Sequence, residues 1–136
     1  MWLLVNSIKN ELIILFEKIL NDRYEVALEI HRMTEELKSS FDRNDTASSD
    51  LILLMRSQEM EKYDVQNQQL ERLCDELGEE SFYNLILYKT NFESLNSEYE
   101  SLVKLAMRTK HVLSKAKEID EKISRRLAGD NSYYCN

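Results

Sequence analysis

Proline is absent from this chain of 136 residues, and glycine stands at only two positions, Gly78 and Gly129. The two strongest interrupters of an α-helix are thus confined to two places, while apolar residues recur every three or four positions. That combination predicts long helices packed lengthwise. The fold class expected is all-α: an antiparallel helical hairpin or coiled-coil bundle of three long helices, or four if the last one bends.

At this length, with 43% hydrophobic residues, one domain with a narrow core is expected over 1–129, followed by a short tail at 130–136. The net charge is −7, which argues against nucleic acid as a partner. The sign is uneven along the chain. Residues 1–100 hold ten Lys/Arg against twenty-one Asp/Glu, and residues 101–136 hold eight against four. Cys74 and Cys135 lie far apart with no metal-ligand spacing around them, which fits a reduced cytoplasmic compartment. The apolar start Trp2-Leu3-Leu4-Val5 lacks a basic flank and is soon interrupted by Asn6, Lys9, Asn10 and Glu11, so it reads as mature protein rather than a signal segment. No run approaches the ~20 apolar residues of a membrane-spanning helix.

The first seam runs through Val5, Ile8, Leu12, Leu15, Ile19, Val26, Ile30, Met33 and Leu37, interrupted where Asp22 falls on it. One helix over about 3–41 is the simplest reading. The alternative is a kink at Asn21-Asp22-Arg23, because Asn and Asp compete with helical hydrogen bonding. The small polar residues between Ser39 and Asp50 form the first connection and supply N-cap candidates. A second stripe follows at Leu53, Met60, Tyr63, Leu70, Cys74 and Leu77, with Arg56 and Asn67 on the same side. These two polar residues either specify register from inside the bundle or mark where the stripe turns to solvent.

Gly78 suits the left-handed residue after a helix, and Glu79-Glu80 suit the positive start of the next. A third pattern runs from Phe82 through Tyr88, Phe92, Leu95, Ala106, Leu113 and Ile119 to Leu127, with Gly129 as its stop. Its roughly 70 Å exceeds what either earlier helix covers. It therefore bends near Ala106-Met107-Arg108-Thr109, or its far end stays bare for another molecule. Along it, Lys104, Arg108, Lys115, Lys122 and Arg126 form one basic stripe, with Lys110 and Lys117 forming a second. The main stripe either zips against the acidic faces of the first two helices or docks an acidic partner or an anionic membrane surface.

No catalytic or metal-binding constellation is legible. His31 and His111 stand alone, no Glu-x-x-His spacing exists, and two separated glycines cannot build a phosphate loop. No cofactor is expected, and an enzyme is not the reading.

The long first helix Leu12-Ile-Ile-Leu-Phe-Glu-Lys-Ile-Leu20, the polar break, the segment Met55-Arg-Ser-Gln-Glu-Met-Glu-Lys-Tyr63 and the aromatic tail give the chain a likeness. It resembles the small bacterial flagellar export chaperones of the FlgN and FliT type. The resemblance implies a cytoplasmic chaperone that holds a flagellar secretion substrate, a hook-associated or filament-cap protein, and presents it to the export apparatus. A helix-in-groove surface is what such a role needs. The candidate residues are Leu105, Val112, Leu113, Ile119, Ile123 and Leu127 on the last helix, with Tyr133 and Tyr134 in the tail. Residues 112–127 stand either as this surface or as a cover over it. A homodimeric coiled-coil scaffold is the alternative.

Overall fold

The computed structural model describes residues 2–88 and 99–130. Four helices make up the described residues, with no strand: α1 (Trp2–Asp42), α2 (Thr46–Leu77), α3 (Glu80–Ile86) and α4 (Glu100–Asp130). α1 is unbroken through Asn21-Asp22-Arg23, and at 41 residues it extends about 60 Å. The seam position assigned to Asp22 belongs instead to its neighbour: Asp22 is exposed and Arg23 is fully buried.

The connection after α1 is three residues long because its backbone is satisfied locally. Asn44 takes a left-handed conformation at φ 56°. The Asn44 amide donates to Phe41 O at 3.0 Å and the Asp45 amide to Ser40 O at 2.9 Å, a Schellman closure. Asp45 then caps α2, its carboxylate accepting from the Ser48 amide at 3.1 Å. At the far end of α2, Gly78 has φ 69° and its amide donates to Cys74 O at 2.8 Å. A side chain there would be strained even though nothing lies within 4 Å of a Cβ.

The single long last helix expected from sequence is divided. α3 ends at Ile86, the Leu87 amide closes on Tyr83 O at 3.1 Å, and Tyr88 is left-handed at φ 57°. The bend expected at 106–109 is absent. α4 runs through it with Ala106 and Thr109 buried and the Thr109 hydroxyl bonded to Leu105 O at 3.0 Å. Nor does Gly129 stop the helix, which continues to Asp130. Phe92 and Leu95 of the expected stripe lie outside the described residues.

α1 packs lengthwise against both α2 and α4. It is antiparallel to α2, with Ser40 beside Ser49 at one end and Lys9 paired with Glu79 at the other. It is parallel to α4, whose start joins Phe16 and Leu20 and whose Arg126 pairs with Asp42. α3 closes one end, where Phe16, Leu20, Leu70, Leu73, Cys74, Phe82, Leu85, Ile86, Leu102, Val103 and Ala106 form the main apolar cluster. Phe82 meets Phe16 and Tyr99 edge to face, at centroid distances of 5.3 and 5.1 Å.

Candidate functional site

The most unusual local chemistry centres on Arg23. Its guanidinium is fully buried with no carboxylate paired to it among the described residues. Nη1 donates to Asn67 Oδ1 at 3.0 Å and to Ile86 O at 3.3 Å, and Nη2 reaches Leu85 O at 3.5 Å. These carbonyls are at the C-terminal end of α3, where a cation complements unsatisfied backbone oxygens. The Tyr88 and Tyr63 rings flank the group at 4.8 and 5.7 Å, within cation–π range. Burial lowers the arginine's pKa and raises that of the Tyr63 phenol. Arg23 Nε, Tyr88 OH and Gln66 Oε1 are buried without a hydrogen-bond partner. Arg23 thus fastens α3 to the α1–α2 hairpin, which also accounts for Asn67 on an otherwise apolar stripe.

Arg56, the other polar residue of that stripe, is likewise engaged inside the bundle. Its Nη1 donates to Thr34 Oγ1 at 3.1 Å and to Asp120 Oδ1 at 2.7 Å, so one guanidinium joins α1, α2 and α4. Farther toward the turn, the Ser40 and Ser49 hydroxyls share a hydrogen bond of 2.6 Å. Both polar stripe residues therefore specify how helices meet rather than marking a solvent-facing side.

The residues expected to bind a partner are on the packing side of α4 or at its edges. Leu105 packs against the main cluster, Val112, Leu113 and Ile119 are half-buried, and Ile123 is buried. Leu127 is exposed. Tyr133 and Tyr134 lie outside the described residues.

Large apolar exposure occurs elsewhere. Beyond the end of α2, the core seam of α1 continues with Val5 at 59% exposure and Ile8 at 49%, alongside Leu3 and Leu4. On α2, Leu51, Leu54, Met55 and Val65 are exposed, Leu54 and Val65 on the side turned away from the buried Leu70 and Cys74 and Leu51 and Met55 at the edge facing α1. The signal for the first surface was present in the sequence, because the α1 seam begins several residues before anything in α2 can pair with it. The second could not be separated from a core stripe by periodicity alone.

A cleft of about 370 Å³ opens at the turn end, lined by Phe41, Leu53, Ile123 and Leu127, with Lys122 and Arg126 among its polar residues. Of the basic stripe on α4, only Arg126 pairs with the hairpin, through Asp42. Lys104 pairs within its own helix, with Glu100 at 3.5 Å. The rest of the stripe has no carboxylate within 4.0 Å among the described residues, so the expected zipper is confined to one contact.

Among the described residues no cluster of three metal-ligating side chains occurs, and no helix is long and apolar enough to cross a membrane. His31 Nδ1 lies 3.0 Å from Glu35 on the same helix, and Cys74 is buried with its thiol pKa pushed up to about 12 by desolvation, the opposite of a reactive thiolate. Comparison with known protein families, curated proteins and solved structures finds no match.

Proposed function

We propose that this chain is a helical protein-binding module that acts as a cytoplasmic export chaperone, holding a flagellar secretion substrate of the hook-associated or filament-cap class through uncovered apolar helix faces. The observation that carries the reading is the overhang of α1, where Val5 and Ile8 continue the core seam and remain exposed, with no helix among the described residues laid over them. The exposed Leu51, Leu54 and Met55 near the start of α2 add a second apolar patch. Each such side chain contributes ~1.5–3 kcal/mol when buried, before the cost of association is subtracted. A partner's amphipathic helix supplies that cover in the helix-in-groove manner. The flagellar assignment itself draws on the resemblance of the sequence pattern.

The test is affinity purification of the tagged chain from its own host, with co-purified proteins identified and the complex sized by light scattering. A secreted helical protein at one-to-one stoichiometry, lost in a Val5→Asp/Ile8→Asp variant and weakened in a Leu54→Asp/Met55→Asp variant, each still melting normally, supports the chaperone. Recovery of the chain alone as a stable dimer favours a homo-oligomeric scaffold. The second reading has its own support: Val5, Ile8, Leu12 and Leu15 follow one another at steps of three, four and three, the spacing of a seam that pairs with a copy of itself.

A further inference from the structure

The side of α4 opposite its packed face carries a straight line of exposed residues: Lys104, Arg108, His111, Lys115, Glu118, Lys122 and Arg125. They follow at alternating steps of four and three, so the line stays on one face for about 32 Å. Arg108, Lys115, Lys122 and Arg125 have no carboxylate within 4.0 Å among the described residues, and the Arg125 side chain meets only a backbone oxygen, Glu121 O at 3.4 Å. The rest of the molecule has the opposite sign. Residues 1–88 hold nine Lys/Arg against eighteen Asp/Glu, whereas Glu100–Asp130 holds eight against five. At the C-terminal end of the line, Lys122 also borders the cleft floored by Phe41, Leu53 and Ile123.

We propose that this basic ridge and the adjoining cleft dock an acidic helical segment of a partner protein. Carboxylates spaced by heptads follow Lys104 to Arg125, and one apolar side chain enters the cleft. The inference rests on the reading of the chain as a protein binder, but it uses a different face from the apolar strips. Three features favour a peptide over a phosphate polymer or a lipid surface. The cleft asks for an apolar side chain that a phosphodiester backbone lacks. Its rim carries Asp42, Asp45 and Asp50, which repel a broad anionic sheet. The acidic hairpin also lies only about one helix diameter, ~10 Å, behind the ridge, close to the screening length of ~8 Å at physiological salt, so an extended anion meets repulsion that a single helix on the ridge avoids. Each exposed pair is weak, and affinity comes from several cations in register together with the cleft.

The experiment is a fluorescence-anisotropy titration of the full chain against a labelled helical peptide of about three heptads, with Glu at the facing positions and one Leu near its end. Binding is expected to weaken about tenfold between about 50 and about 300 mM salt. An Arg108→Glu/Lys115→Glu/Lys122→Glu variant with an unchanged melting curve should weaken it by at least about tenfold, and the milder triple Gln variant by less. Leu53→Ala should weaken it without altering the salt dependence. Equal affinity for a peptide carrying Gln in place of Glu, unchanged binding by the triple Glu variant, or tighter binding to phosphatidylserine vesicles than to the peptide overturns the proposal. The Leu54→Asp/Met55→Asp variant should retain the peptide, so failure of the ridge and failure of the chaperone reading are separately visible.

Discussion

The two ends of the bundle are built from different materials. Around α3, large side chains interlock: Phe16, Phe82, Leu70, Leu85 and Leu20 are each fully buried, and the aromatic rings pack edge to face. Toward the Arg43–Asp45 turn, fully or nearly buried positions include Thr34, Ser40 and Ser49 beside Met33 and Leu37. There the helices are registered by hydroxyls and by the Arg56–Asp120 pair. Apolar volume gives the first end its stability, since cost scales with the size of what is removed. Polar contacts give the second end its alignment, each adding little net free energy but penalising misregister. It is at this thinner end that the cleft opens.

Substitutions that exchange these characters should separate the two ends. Phe82→Ala has the largest expected effect, a loss of about 3–5 kcal/mol in urea unfolding, because the ring is fully buried between Phe16 and Tyr99. A loss comparable to that of a turn-end substitution would erase the distinction. Next comes Arg23→Met. It removes a costly buried charge but strands Asn67 Oδ1 and the Leu85 and Ile86 carbonyls, for an expected net loss of about 1–3 kcal/mol. Hydrogen exchange should show that loss concentrated in α3, and uniform acceleration across all helices would contradict the anchoring role.

At the turn end the numbers shrink. A double-mutant cycle on Arg56→Ala and Asp120→Ala should give a coupling of at most ~1 kcal/mol that fades with salt, since the Asp120 side chain is 39% exposed. Ser49→Ala, which removes a partner from the Ser40 hydroxyl, should cost about 0.5–1.5 kcal/mol by thermal melting. Cys74 gives a pH counterpart at the closed end. Its thiol pKa is pushed from 9.0 up to about 12 in the folded chain, so the unfolded state loses its proton first. Stability is untouched below pH 9 and falls as pH rises from 9 toward 12, and Cys74→Ala should flatten that alkaline limb in pH-dependent melts.

The closed helices with strong local signals were legible. α1 runs on across the one interruption in its three- and four-residue steps, at Asp22, and Gly78 caps α2 in the left-handed conformation that glycine favours. The division between α3 and α4 was not, because Tyr88 keeps the phase of the apolar stripe. Its departure from the helix coincides with a ring placed over Arg23, a contact between residues 65 positions apart that no local pattern encodes. Arg23 was hidden for the same reason. Read locally, Asn21-Asp22-Arg23 is a polar break, and only the α3 carbonyls and two tyrosine rings make its burial tolerable. Length mismatch between helices pointed to a bare seam at the far end of the last helix, but with that helix divided the exposed seam falls on α1.

The position of α1 has a thermodynamic consequence. It packs along both α2 and α4, which contact it more extensively than they contact each other and are joined by the Arg56–Asp120 pair. A ligand on the outer strip of α2 and another on the ridge of α4 can influence one another chiefly through repacking of a single continuous helix whose core positions are filled. Close-packed interiors resist such graded adjustment. If both proposed surfaces bind their partners, simultaneous binding should therefore show nearly additive free energies, with occupancy of one leaving the other unswitched.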